Sequence, residues 1–184
     1  MATPPDFTAG QILTAAQMNA IGLWKVTSAS FSAVGTVNVN NCFTSSYTNY
    51  RVIVQLTASS TTQVVNMRLR ASGSDAATTY YWGGIAGSVT STTLYATPSN
   101  NATSWIAMQS QATGVRSLVM DVMAPAVAQY TLVHGDYTDF NNGTNYTVGG
   151  MHATASAYDG FTLLAGAGGA ATITGSYAVY GYKP

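Results

Sequence analysis

Not one glutamate occurs in this sequence of 184 residues, and its ionic side chains are six Lys or Arg against six Asp. Surface helices take their solvated faces and their i,i+4 ion pairs from Glu, Lys and Arg. A chain with only 7% charged residues cannot be built mainly of such helices. Thr, Ser, Asn, Gly and Tyr stand where the charge is missing. Thr and Tyr suit pleated, half-buried surfaces, and Gly and Asn suit turns, so the expectation is an all-β protein. The same scarcity excludes nucleic-acid binding through a basic footprint, because few phosphates could be neutralised. Hydrophobic residues make up 47% of the chain, which excludes disorder of the highly charged kind. A net charge of zero with so few surface ions favours precipitation of a lone monomer and points to a subunit of a permanent assembly.

The first 22 residues read differently from the rest. Pro4 and Pro5 enforce an extended arm. Thr14 is a good N-cap, Gln17 is its capping-box partner three residues on, and Gly22 is a C-terminal stop, so a short helix is expected between them. Met18 and Ile21 share its apolar face. So short a helix is unstable alone in water and must dock on its own domain or on a neighbour. The arm lacks the basic start and apolar run of a signal peptide, and no stretch is apolar enough to span a bilayer. Synthesis in a cytoplasm without membrane insertion is the expectation.

From Leu23 the hydrophobic period is two. Tyr50–Leu56 reads as a strong strand, and Val115–Met123 as a strand ended by Pro125. Val65–Ala71 alternates apolar and polar, giving a strand with one wet face that carries Arg68 and Arg70. Pro98–Asn101 reads as a loop and Asn142-Gly143 as a hairpin turn. The tally is roughly nine to eleven short strands with turn signals every 8–12 residues, the pattern of a β-sandwich of jelly-roll type over residues 23–184.

Candidate chemistry is sparse. Asp121 beside Arg116, and Asp136 with Asp139 in one loop, are the only acids placed for paired-carboxylate work, and solvated turn aspartates explain them better. His134 and His152 fall on strands joined by one turn and could share a metal, although surface or core histidines are the commoner outcome. Asp136–Gly143 has calcium-loop donors at the wrong spacing. One cysteine, Cys42, permits no internal disulfide. No catalytic residue, cofactor or metal site is therefore assigned. Tyr80, Tyr81, Trp82 and Tyr95 cluster near Gly83-Gly84 and are candidates for core packing, a subunit interface or contact with a receptor glycan.

The opening Pro5-Asp6-Phe7-Thr8-Ala9-Gly10-Gln11-Ile12-Leu13-Thr14-Ala15-Ala16-Gln17-Met18-Asn19 resembles a segment near the N-terminus of many structural proteins of tailed bacteriophages. A Gly, then Leu-Thr-Ala, then an Asn is its recurring form. Leu23-Trp24, the Tyr47–Val52 and Arg68–Arg70 strands, and the Tyr180–Lys183 tail are similar to a phage virion domain. The resemblance implies a virion protein without catalytic residues, often a homotrimer, placed on the tail or capsid. Residues 1–22 would attach it to other virion proteins, with Phe7, Ile12, Leu13, Met18 and Ile21 as contacts. The β domain would be exposed to a bacterial surface glycan or protein. No long repetitive shaft follows residue 22, which fits a short tail fibre, a tip domain or a capsid decoration protein. A free glycan-binding module and a polysaccharide depolymerase are the readings from other classes.

Overall fold

The computed structural model describes residues 10, 12, 22–88, 92, 94–110, 115–139 and 143–182. The expected short helix, with Leu13, Met18 and Ile21, lies outside the described residues, as does Phe7. Strands make up 71% of the described residues, and no α-helix occurs among them. The strands are β1 (Trp24–Val34), β2 (Thr36–Val39), β3 (Asn49–Ser59), β4 (Gln63–Ala71) and β5 (Ser74–Asp75). Then come β6 (Tyr80–Ser88), β7 (Leu94–Ala102), β8 (Trp105–Ser110) and β9 (Arg116–Met123). The chain ends with β10 (Gln129–Asp139), β11 (Thr144–Ser156), β12 (Gly160–Ala165) and β13 (Ile173–Tyr182).

Two antiparallel sheets form a sandwich-like fold. The wide sheet has eight strands in the order β1-β13-β3-β9-β10-β11-β6-β7. The narrow sheet runs β2-β12-β4, with β8 pairing with β4 and the two-residue β5 at its end. Alternation decides which side chains enter the space between them. Tyr50, Val52 and Val54 of β3 and Leu118, Met120 and Val122 of β9 are buried, as are Val65, Met67 and Leu69 of β4 and Phe161 and Leu163 of β12. Each such side chain contributes about 1.5–3 kcal/mol on leaving water. Phe43 joins the layers, its ring lying 4.8 Å from that of Tyr50 and 5.9 Å from that of Phe161.

Several expectations change in three dimensions. Pro98–Asn101 is not a loop but part of β7, because β7 is an edge strand where a residue without an N–H leaves no ladder bond unmade. Asp136 and Asp139 lie on β10 rather than in a loop, since the hairpin closes beyond them. The polar face of β4 is not uniformly wet. Arg70 is buried there because β2, β5 and β12 surround it. Its guanidinium donates to Asn40 Oδ1 at 2.9 Å, Asn38 Oδ1 at 3.1 Å and Thr162 Oγ1 at 2.7 Å, and pairs with the Asp75 carboxylate. So many acceptors compensate the lost hydration of the charge.

Neighbouring strands of the narrow sheet approach closely where glycine allows it. A Cβ on Gly160 would collide with the Val39 carbonyl oxygen across the β2–β12 boundary. Gly160→Ala is expected to lower stability by about 2–3 kcal/mol, the upper part of the overpacking range, because backbone cannot step aside as a side-chain tip can. A fall in the urea midpoint at constant m-value checks this.

Candidate functional site: an aromatic cleft and an open sheet face

The narrow sheet covers only part of the wide one. Beyond β9, the inner face of β10, β11 and β6 is met mainly by β8, whose Trp105 is fully buried. The Trp105 ring stands edge-on to Tyr80 at 4.9 Å and to His152 at 6.5 Å, and its Nε1 donates to the Met151 carbonyl at 3.2 Å. Tyr80 crosses the core in the other direction. Its hydroxyl accepts from the Leu69 N–H at 2.9 Å and donates to the Ala76 carbonyl at 2.8 Å. Tyr80 is therefore a core residue that ties the two sheets together, and it is not available to a receptor or partner.

His152 is buried beneath this pair. Tyr158 Oη lies 3.1 Å from Nδ1 and Thr79 Oγ1 lies 3.3 Å from Nε2. Thr79 Oγ1 already donates to the Thr78 carbonyl, so it must accept from the ring. A neutral imidazole protonated on Nε2 then satisfies every group, with Tyr158 donating to Nδ1. Thr79 holds a φ of 64°, a strained conformation for a β-branched residue, and these bonds fix it there. No carboxylate touches the imidazole ring in these contacts, so the arrangement is a structural knot rather than a proton relay.

His134 does not join it. His134 pairs with Gly149 and Asp121 and is exposed, whereas His152 pairs with Thr131 and is buried. Alternation puts the two rings on opposite faces of the sheet, which excludes the shared metal. Arg116 and Asp121 are likewise on opposite faces: Arg116 points into the core, while Asp121 forms a bidentate pair with Arg51 at 2.8 and 2.7 Å. No cluster of three or more His, Cys, Asp or Glu side chains suited to a metal occurs among the described residues. Burial pushes the Cys42 thiol up to about 12, so it is inert at neutral pH.

Where the cover from β8 runs out, a cleft of about 150 Å³ remains. Trp82, Tyr137, Tyr146, Val64, Ile106 and Val148 line it. Tyr137 and Tyr146 face each other across the β10–β11 hairpin and stack in parallel, 4.5 Å apart. The volume suits one ring, and no charged side chain lines it. Of the clustered aromatics whose side chains are described, only Trp82 lines this cleft. Tyr81 faces the outside of the wide sheet, and Tyr95 lies on β7 beside Ala86. Tyr137 and Tyr146 escaped the sequence reading. They flank the Asn142-Gly143 turn, but only the register shows that they meet.

None of the described residues covers the outer face of the wide sheet. Leu132, Met123, Val119 and Ile85 are exposed on it. Ile12 of the N-terminal segment is also exposed, 86% of its surface being open. No family model, no curated protein and no solved structure matches this chain.

Burial lowers the His152 pKa below its ordinary value of 6.5. The unfolded chain thus binds a proton that the folded chain refuses, and stability falls as pH drops below about 6.5 toward the folded value. Thermal melts between about pH 7.5 and about pH 5 should show this decline, and His152→Gln should flatten that slope.

Proposed function

We infer that the chain is a structural subunit of a bacteriophage virion, a short tail fibre or receptor-binding subunit held by residues 1–22. The strand order carries the reading. β1-β13-β3-β9 opposite β2-β12-β4-β8 follows the winding of a jelly roll of two Greek keys, widened by the hairpins β6–β7 and β10–β11. Jelly rolls recur in viral capsid and lectin domains, and that support is analogy of fold. The second support is the opening segment, which resembles the attachment segment of tailed-phage proteins. In this reading the cleft of Trp82, Tyr137 and Tyr146 takes a ring of a bacterial surface glycan, and the exposed Ile12 contacts another virion protein.

Catalysis is not part of the proposal. Asp121 and Asp75 are each held by an arginine, which suits structure better than acid chemistry. The broad exposed sheet face, with Leu132, Met123, Val119 and Ile85 on it, favours one alternative, a capsid decoration or head-fibre protein that lies on a lattice.

Electron cryo-microscopy of the particle that carries this chain tests both. Density at the tail, lost on deletion of residues 1–22, is the expected result. Density on the capsid lattice would replace adhesion with decoration. A particle lacking the chain would overturn the virion reading altogether.

A further inference from the structure

The outer face of the wide sheet carries long side chains on one half and a glycine trough on the other. Strand register places Lys25, Tyr180, Arg51, Asp121 and His134 in one row across β1, β13, β3, β9 and β10. The row continues through Gly149 of β11 and Gly83 of β6. Lys25, Tyr180 and Arg51 therefore stand on one half of the face, where Lys25 and Tyr180 border a depression shared with Ile53, Gln55 and Ala178, and two residues without side chains form a trough on the other half. Ile85, Ala96, Pro98 and Thr147 wall the trough, which encloses about 460 Å³. A Cβ on Gly83 would meet nothing within 4 Å, so none of the described residues fills this space.

We propose that this face is the docking surface for a second copy of the chain, with the Tyr180 side chain of each copy seated in the Gly83–Gly149 trough of the other. The centre of the eight strands falls between β9 and β10. A two-fold axis there, parallel to the strands, sets Tyr180 opposite Gly83 and Arg51 opposite Gly149. It also sets Asp121 opposite His134. In the row on one side the same rotation sets Leu132 on Met123, Tyr81 on Tyr182 and Asn49 on Met151, and in the row on the other side it sets Val119 on Asp136. Such a contact is isologous and closes with two copies. Aligned sheets pack face to face in this way in sandwiches.

The area suffices. Seven strand spacings of about 4.8 Å and strands about 27 Å long give roughly 900 Å² per copy. Stable interfaces need about 800 Å² per partner. The charges balance within each face, with Lys25 and Arg51 against Asp121 and Asp136, so no excess of like charge accumulates on pairing. An exposed apolar sheet face on a chain with so few ions is otherwise an aggregation hazard.

Sedimentation equilibrium of the full chain tests the proposal. The expected mass is twice the 19.1 kDa of one chain. Gly83→Phe fills the trough where the folded chain has open space and should weaken pairing more than about a hundredfold while leaving the circular dichroism spectrum unchanged. A chain carrying Tyr180→Cys and Gly83→Cys together should form a disulfide-linked pair on oxidation, since buried Cys42 does not compete. That variant decides the matter if Gly83→Phe fails to fold. A wild-type monomer, a trimer, or a dimer that neither forms the linked pair nor responds to Gly83→Phe would overturn the proposal.

Discussion

The wide sheet keeps its outer half because of one ring. Four strands, β10, β11, β6 and β7, extend past the part of the sandwich that β2, β12 and β4 cover. Sheets need a second layer to bury a face, and this half has little besides β8 to supply it. Trp105 is the largest side chain β8 can offer, and it reaches Tyr80 and His152 at once. Its N–H finds the Met151 carbonyl, and the Tyr80 hydroxyl finds the backbone of β4, so the aromatic bulk enters the core without stranding a polar group.

The remaining features follow from how that cover ends. Gly150 must be glycine-like in space, because a Cβ there would press on the Tyr81 carbonyl oxygen and lie 3.1 Å from the Trp105 indole nitrogen. Just past Trp105 the layers separate, and Trp82, Tyr137 and Tyr146 line the gap instead of filling it. On the opposite side the same strands carry Gly83 and Gly149, and the sheet presents a trough. One short strand thus sets the core knot and the cleft beside it, while Gly83 and Gly149 set the trough on the outer face.

Much of the architecture was legible in the residues. The alternation in Val65–Ala71 sets its apolar positions on one face, and the structure buries Val65, Met67 and Leu69 there. The fate of Arg70 was not legible, since the strand pattern alone makes it a wet residue. Its burial depends on Asn38, Asn40, Asp75 and Thr162 arriving from three other strands. The pair of histidines misled for a related reason. A turn between two strands shows that they are neighbours, but the register decides whether two side chains share a face, and a shift of one residue reverses the answer.

The sequence by itself determined the class of fold: too few ions for helices, a period of two, and turn residues at short intervals leave only antiparallel sheets. It also excluded a basic nucleic-acid footprint and any internal disulfide, because these need residue types that are scarce or single. The tertiary structure decided which aromatics are core and which line a cleft, which acids are tied to arginines, and where the glycines leave room. Those outcomes depend on contacts between strands far apart in the chain. Local pattern fixes a side chain's face within its own strand, whereas what stands opposite that face is set by strand order and register.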